Sequence, residues 1–314
     1  MSKRRVPPWL VALVLGLVTI SCGGATSKPA EEPAVEAPKP RPRNAATIAQ
    51  AIAGGKVSAL VYAERTQGHP VAAKLAGMNL WGPLLDGTGI DPQKDLSRAF
   101  VTAPHVRAEH DAVIVLEHTL TPERLQAGLD ALSARSDPPP SPLEGLGLPA
   151  LEVTVRGHTR VVAVVEPSFL VVLPKDKASQ ARRFVGTGGF PDPAGPEAVV
   201  ATALDPAETL KAPQAPRVPE TVRSLEAKVV LEKDGGAELT LEGVSASEEQ
   251  APADARELTE AIDRATSFRI SIVKVRVFDP VTFSAEGDRV KALRRVTPSE
   301  IERLFGLLAA VLPR

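Results

Sequence analysis

The chain is poor in the residues that usually announce chemistry. Its 314 residues hold one cysteine, one tyrosine, two tryptophans and two methionines, and aromatic residues make up 4% of it. One cysteine excludes an internal disulfide, and so few aromatics leave little on which bases could stack. Neither sign of charge dominates: 37 Lys and Arg stand against 38 Asp and Glu. No Lys/Arg-rich face emerges, so nucleic acid is not an expected partner. The longest apolar stretch, Val6–Ile20, falls short of the roughly 20 residues that span a bilayer. No Gly-x-Ser-x-Gly occurs. Ala53-Gly-Gly-Lys56 continues into Val57, where a phosphate-binding loop requires Ser or Thr, and Gly186-Thr-Gly-Gly189 lacks the spacing of a dinucleotide fingerprint.

What is present is concentrated at the start. Lys3, Arg4 and Arg5 precede the apolar stretch, and small residues follow it, the order of a secretory signal. Thr19-Ile20-Ser21-Cys22 resembles the lipobox of bacterial lipoproteins, departing from the commonest form at Thr19, where leucine prevails. The resemblance implies that residues 1–21 are a signal peptide and that Cys22 is acylated, carries palmitate and becomes the first residue. It also implies that the protein is held at a membrane of the bacterial cell envelope. Gly23 stands where an aspartate would direct inner-membrane retention, so the resemblance favours the outer membrane. Two other readings remain: cleavage at Gly23-Gly24-Ala25, which discards Cys22, and an uncleaved anchor, which Pro7 and Pro8 oppose by shortening the helical run.

Residues 22–46 read as a lipid anchor and a disordered linker. Pro29, Pro33, Pro38, Pro40 and Pro42 are set among alanines and charges of both signs, with almost nothing to bury. Beyond them the chain alternates two periods. Ser58–Glu64, Arg98–Thr102, Asp111–His118, Val161–Val165 and Phe169–Leu173 read as strands, and Leu151, Val153 and Val155 alternate with polar residues. Leu125, Leu129 and Leu132 recur at helical spacing behind Thr121-Pro122-Glu123. A short helix is expected at Lys175–Phe184. Gly186–Pro193 separates an N-terminal lobe, 47–190, from a C-terminal lobe, 196–314.

In the second lobe, Ala198–Leu204 precedes Asp205-Pro206-Ala207-Glu208, which has the form of a capping box. Val229 and Leu231 pair with Leu239 and Leu241 across Asp234-Gly235-Gly236. Ala251, Ala255, Leu258, Ile262 and Ala265 form a helical stripe; Phe268–Val277, Val281–Ser284 and Arg289–Leu293 read as strands. Thr297-Pro298-Ser299-Glu300 is a complete capping box opening the last helix. The fold class expected is α+β: mainly antiparallel sheets of hairpins and meanders, helices packed on one face, two lobes. Leu120-Thr-Pro-Glu and Val296-Thr-Pro-Ser can be superposed, a hint that the lobes are related, although efficient helix starts converge on such residues.

Each candidate for chemistry has a plainer explanation. His105, His110 and His118, with Glu109 and Asp111, match no metal-ligand spacing and read as solvated loop residues. Asp86, Asp91 and Asp95 lack the spacing of a calcium loop, and turn chemistry accounts for Gly87 and Gly89. Ser271-Ile-Val-Lys274 spells Ser-x-x-Lys on a strand, where an odd separation sends the two side chains to opposite faces. No catalytic residue, cofactor or metal site is therefore expected. The expected role is a non-enzymatic binding or scaffold module, joined to the membrane through lipid on Cys22 and engaging an envelope protein partner. The alternatives are a periplasmic carrier of a lipid or other apolar ligand and an enzyme of a type no motif reveals.

Overall fold

The computed structural model describes residues 44–72, 85, 87–135, 143, 145–155, 158–165, 168–190, 194–212, 215–270, 273–276 and 279–311. Cys22, the signal segment, the linker before Asn44, Trp81, Asp86, Gly157 and Ser271 lie outside them.

The first helix, α1 (Ala45–Ala53), begins inside the stretch read as linker, because the Asn44 side chain accepts the Ala46 N–H and caps it. It ends at Gly54, whose left-handed backbone (φ 64°) suits glycine. Gly55 follows for a different reason: a Cβ there would lie 2.0 Å from the Thr102 hydroxyl. Strand β1 (Val57–Tyr62) runs into a four-residue helix, α2 (Ala63–Thr66). Then come β2 (Leu96–Ala103), β3 (Val113–His118), α3 (Pro122–Arg135), β4 (Ala150–Val155), β5 (His158–Val165), β6 (Phe169–Pro174) and a 3₁₀ helix, Lys175–Phe184. The second lobe supplies β7 (Val199–Leu204), α4 (Pro206–Thr209), β8 (Val222–Leu231), β9 (Ala237–Ser245), α5 (Ala251–Thr266), β10 (Ser267–Ile270), β11 (Val273–Arg276), β12 (Ser284–Glu286), β13 (Arg289–Val296) and α6 (Pro298–Val311).

The fold is α+β and antiparallel throughout its main sheet. Eleven strands form that sheet, in the order β12-β13-β9-β8-β7-β1-β2-β3-β6-β5-β4, while β10 and β11 make a separate hairpin. Both lobes share the sheet, because β1 pairs with β7 from Val57↔Ala203 to Val61↔Val199. Counted outward from this seam, the first five strands of each half follow one topology, 1-2-3-6-5 and 7-8-9-13-12, and β4 adds a sixth strand to the first half. Each half places a four-residue helix after its first strand and a long helix after its third. The correspondence pairs α3 with α5, and α6 with the 3₁₀ helix. The sequence superposition of Leu120 on Val296 therefore joins helices that are not equivalent, and reflects two efficient helix starts.

Strand alternation decides what each face buries. Leu116, Val162 and Leu170 point to one face, where Leu125, Leu129 and Leu132 of α3 cover them. Leu239, Leu241, Val290 and Ala292 lie on the same face under Ala255 and Leu258 of α5. The opposite face of the first half carries Phe100, Val113, Val115 and Val171, roofed by Ile48 and Ile52 of α1 and by Phe184. Strand β3 is thus buried on both sides, as its continuous apolar run predicts. On the second half that opposite face holds Glu226, Lys228, Glu242, Arg289 and Leu293, with Leu293 67% exposed. The seam is interlocked: Val57 of β1 belongs to the core of the second half, and Val200 of β7 packs on the core of the first.

Two local expectations need correction. Asp205 does not cap α4; it takes a left-handed backbone (φ 48°) and pairs with Lys56 at 2.7 Å, across the end of the seam. The stretch expected as one strand, Phe268–Val277, holds two paired four-residue strands, β10 and β11, and Val281 and Phe283 are buried ahead of β12 instead of lying in a strand.

Candidate binding groove at the open edge of the sheet

A sheet that does not close has two edges, and these two differ. The β12 edge is three exposed residues long, with Glu286 paired to Lys291, and its brevity and charge discourage further pairing. The β4 edge is twice that length, and no strand lies beyond it among the described residues. Register fixes which backbone groups face outward. Pro149 C=O accepts Val164 N–H at 2.8 Å, so residues 149, 151 and 153 turn their backbone groups toward β5. Ala150, Glu152 and Thr154 turn theirs the other way, and the Ala150 carbonyl receives Leu143 N–H at 3.2 Å.

Beside this edge α3 and the segment before β4 enclose a cavity of about 290 Å³. Leu129, Leu151 and Val162 make an apolar floor, and Gln126, Asp130 and Ser133 line it from α3. Gln126 Nε2 donates to Asp130 Oδ1 at 2.8 Å and orients that carboxylate. The far wall, Leu148 and Pro149, is held by the Arg182 guanidinium, which donates to the carbonyls of Gly145 and Leu146. Gly145 and Gly147 adopt positive φ in this wall. The helix comes close to the 85–90 loop because position 128 is glycine: a Cβ there would meet Ile90 Cδ1 at 2.9 Å. Beneath α3 a second space of about 20 Å³ is a packing defect of the core.

The sequence candidates fall elsewhere. His110 pairs with Asp111 at 3.1 Å, and His105 accepts Arg107 N–H through Nδ1. His118, read as solvated, is buried at the end of β3 because strand alternation turns it to the covered face. Among the described residues no His, Asp and Glu side chains gather as metal ligands. Asp95, from the supposed calcium loop, receives both Arg124 nitrogens at 2.8 Å and the Asp91 N–H at 2.8 Å. The Arg124 guanidinium holds its carboxyl below the usual aspartate range. Lys94 does the same for Asp91, which also accepts Gln93 N–H. Lys274 lies in β11, with Ser271 outside the described residues. Ala53–Lys56 closes α1 and reaches the seam.

The remaining buried charges are structural ties. Asp254, fully buried in α5, accepts from the Thr221 hydroxyl and Gln250 amide, fixing the approach to β8. Glu300 accepts from Thr297 N–H, Asp279 N–H and Arg294. The sequence did not single out Gln126, Asp130 or Ser133. Their spacing marks one helix face, but only the topology shows that this face borders the last strand of the sheet.

No protein-family model and no curated protein sequence matches the chain. Among solved structures, crystal form I of TP0453 is similar over 87% of this chain and 99% of its own, at 12% identity and a TM-score of 0.46.

Proposed function

We propose that the protein is a lipid-anchored lipoprotein of the bacterial cell envelope, with the outer membrane favoured. It acts there as a non-catalytic binding or scaffold module, and the groove between α3 and β4 is its binding surface. The observation that carries this reading is the cavity between α3 and the outermost strand β4, whose floor is apolar and whose rim is polar. Binding sites combine a mostly apolar surface with a few placed polar groups in this way. The buried carboxylates add support: Asp95 is committed to Arg124 and Glu300 to Arg294 and a helix cap, away from the groove. The cavity is at the lower limit for a small-ligand pocket, about 300 Å³, which gives the carrier reading little room.

Two measurements test the proposal. Intact-mass analysis of the protein from its host should show a chain beginning at an acylated Cys22. A photo-cross-linking residue at position 133, introduced in living cells, should form a discrete adduct with one envelope protein. A chain beginning at Thr26, together with no adduct from any surface position, would overturn it.

A further inference from the structure

We infer that the domain rests on an anionic phospholipid surface through the outer side of the layer formed by α1 and the 3₁₀ helix, with Val185 at the contact. This rests on the lipid-anchor reading above and adds the orientation that the anchored domain takes. The segment that follows Cys22 joins the fold at one corner. Asn44 bridges to Gly188 in parallel, so the chain enters beside the end of the 3₁₀ helix.

Residues three apart share one line on such a helix. Ala181 and Phe184 form the buried line. Lys177, Gln180 and Arg183 make a second, along which Arg183 donates to Gln180 Oε1 at 3.2 Å. Asp176, Ser179 and Arg182 make the third. Asp176 is the only acid of this helix, against Lys175, Lys177, Arg182 and Arg183. Lys175 is committed to Glu152 at 2.8 Å, and Arg182 donates to the Gly145 and Leu146 carbonyls. Among the described residues no carboxylate pairs with Lys177, Arg182 or Arg183. The neighbouring α1 carries no charge, and its exposed residues are Thr47 and Ala51.

The helix ends in a type II turn. Val185 has φ −62° and ψ 129°, Gly186 has φ 69°, and Thr187 N–H returns to Phe184 C=O at 3.2 Å. The turn presents Val185, 57% exposed, between Arg183 and the Gly188 bridge. Each basic residue beside an anionic bilayer strengthens binding about fivefold, and a fatty anchor holds more firmly with a basic patch beside it. Since α3 covers the other face of the sheet, a domain seated this way turns Gln126, Asp130 and Ser133 away from the membrane, toward a partner.

The test uses the whole chain from Cys22 onward, coupled through that thiol to maleimide lipids, so the anchor is present whatever its natural modification. Vesicles consist of phosphatidylcholine with phosphatidylglycerol added, or of phosphatidylcholine alone. Benzoylphenylalanine replaces Val185 or Ser133, and irradiation marks the lipids it touches. At equal coupling, position 185 should label lipid at least tenfold more in the anionic vesicles, and position 133 in neither. Lys177→Glu combined with Arg183→Glu should cut labelling from 185 at least tenfold, with circular dichroism confirming that the variant folds. Molar salt should do the same without any variant. Equal labelling from 185 and 133, or labelling from 185 that is indifferent to lipid charge and to salt, overturns the inference. An unacylated Cys22 in the host overturns the anchor reading instead, and the chemically anchored vesicles still decide whether this face binds anionic lipid.

Discussion

At the scale of single residues, the buried carboxylates are the most exposed to test. Asp95→Asn removes the charge that Arg124 and the Asp91 amide satisfy, and should cost about 2 kcal/mol, since hydrogen bonds to charged groups contribute roughly 1.5–3. Urea unfolding measures it. The pH dependence has a definite sign. Arg124 depresses the Asp95 carboxyl. For Glu300 burial pushes upward, but the Thr297 and Asp279 amides, the Thr297 hydroxyl and Arg294 outweigh it, so the net shift is downward. Groups with depressed folded-state values contribute stability that is complete above their unfolded values, about 4, and is lost as pH falls through the folded ones. The unfolding free energy should therefore be flat from pH 7 to 5 and decline below 4, with Asp95→Asn and Glu300→Gln each making the decline shallower. An unchanged profile in both variants would show that these carboxylates do not set acid stability. The sequence exposes Asp91 and Asp95 as turn residues but hides Arg124, because a partner 29 positions away is chosen by tertiary structure.

Among elements, the capping box on α6 was readable because its signal is local. Thr297 N–H donates to Glu300 Oε2 at 2.8 Å, and Glu300 N–H returns to the Thr297 hydroxyl at 3.3 Å. Thr297→Ala should cost about 1 kcal/mol, the usual value for a lost N-cap, measured by thermal unfolding. Gly55→Ala should cost about 1–3 kcal/mol as overpacking, because Thr102 is buried and its hydroxyl is engaged by Val57 C=O. A neutral Gly55→Ala would mean that the α1–β2 approach is looser than described. The β8–β9 hairpin was also legible, its register bringing Val229 opposite Leu239. By contrast, the sequence pattern runs β10 and β11 together as one strand. Ile270 pairs with Val273, and the intervening Ser271-Ile272 carries none of the Gly, Pro or Asn that would mark a turn. The β4–β5 hairpin closes with Val155 opposite His158. The groove was illegible for a related reason: the pattern of Leu151 and Val153 shows a half-buried strand, not that it is the outermost one.

For the molecule as a whole, the shared sheet predicts one unfolding unit. Five residue pairs join β1 to β7, and each of these strands sends a valine into the other half's core. The strand connector is stitched down as well: Arg65 donates to Glu197 C=O at 2.9 Å and Arg98 to Phe190 C=O at 2.9 Å, while both guanidiniums lie over the Tyr62 ring. Amide hydrogen exchange in β2 and β8 should give the same opening free energy within experimental error; values differing by several kcal/mol would mean that the halves unfold independently. The sequence marks the boundary between the halves at Gly186–Pro193, yet cannot show that their first strands pair, since β1 and β7 are equally apolar and small. That pairing has a consequence in time. The main-sheet neighbours within each half lie at most some 60 residues apart, whereas Val57 waits for Ala203. Closing so long a loop is the slow event in assembling such a sheet. As the chain emerges in order, β1 keeps a bare flank until almost two-thirds of the protein has been made, and in that interval a chaperone or a stray strand can claim it.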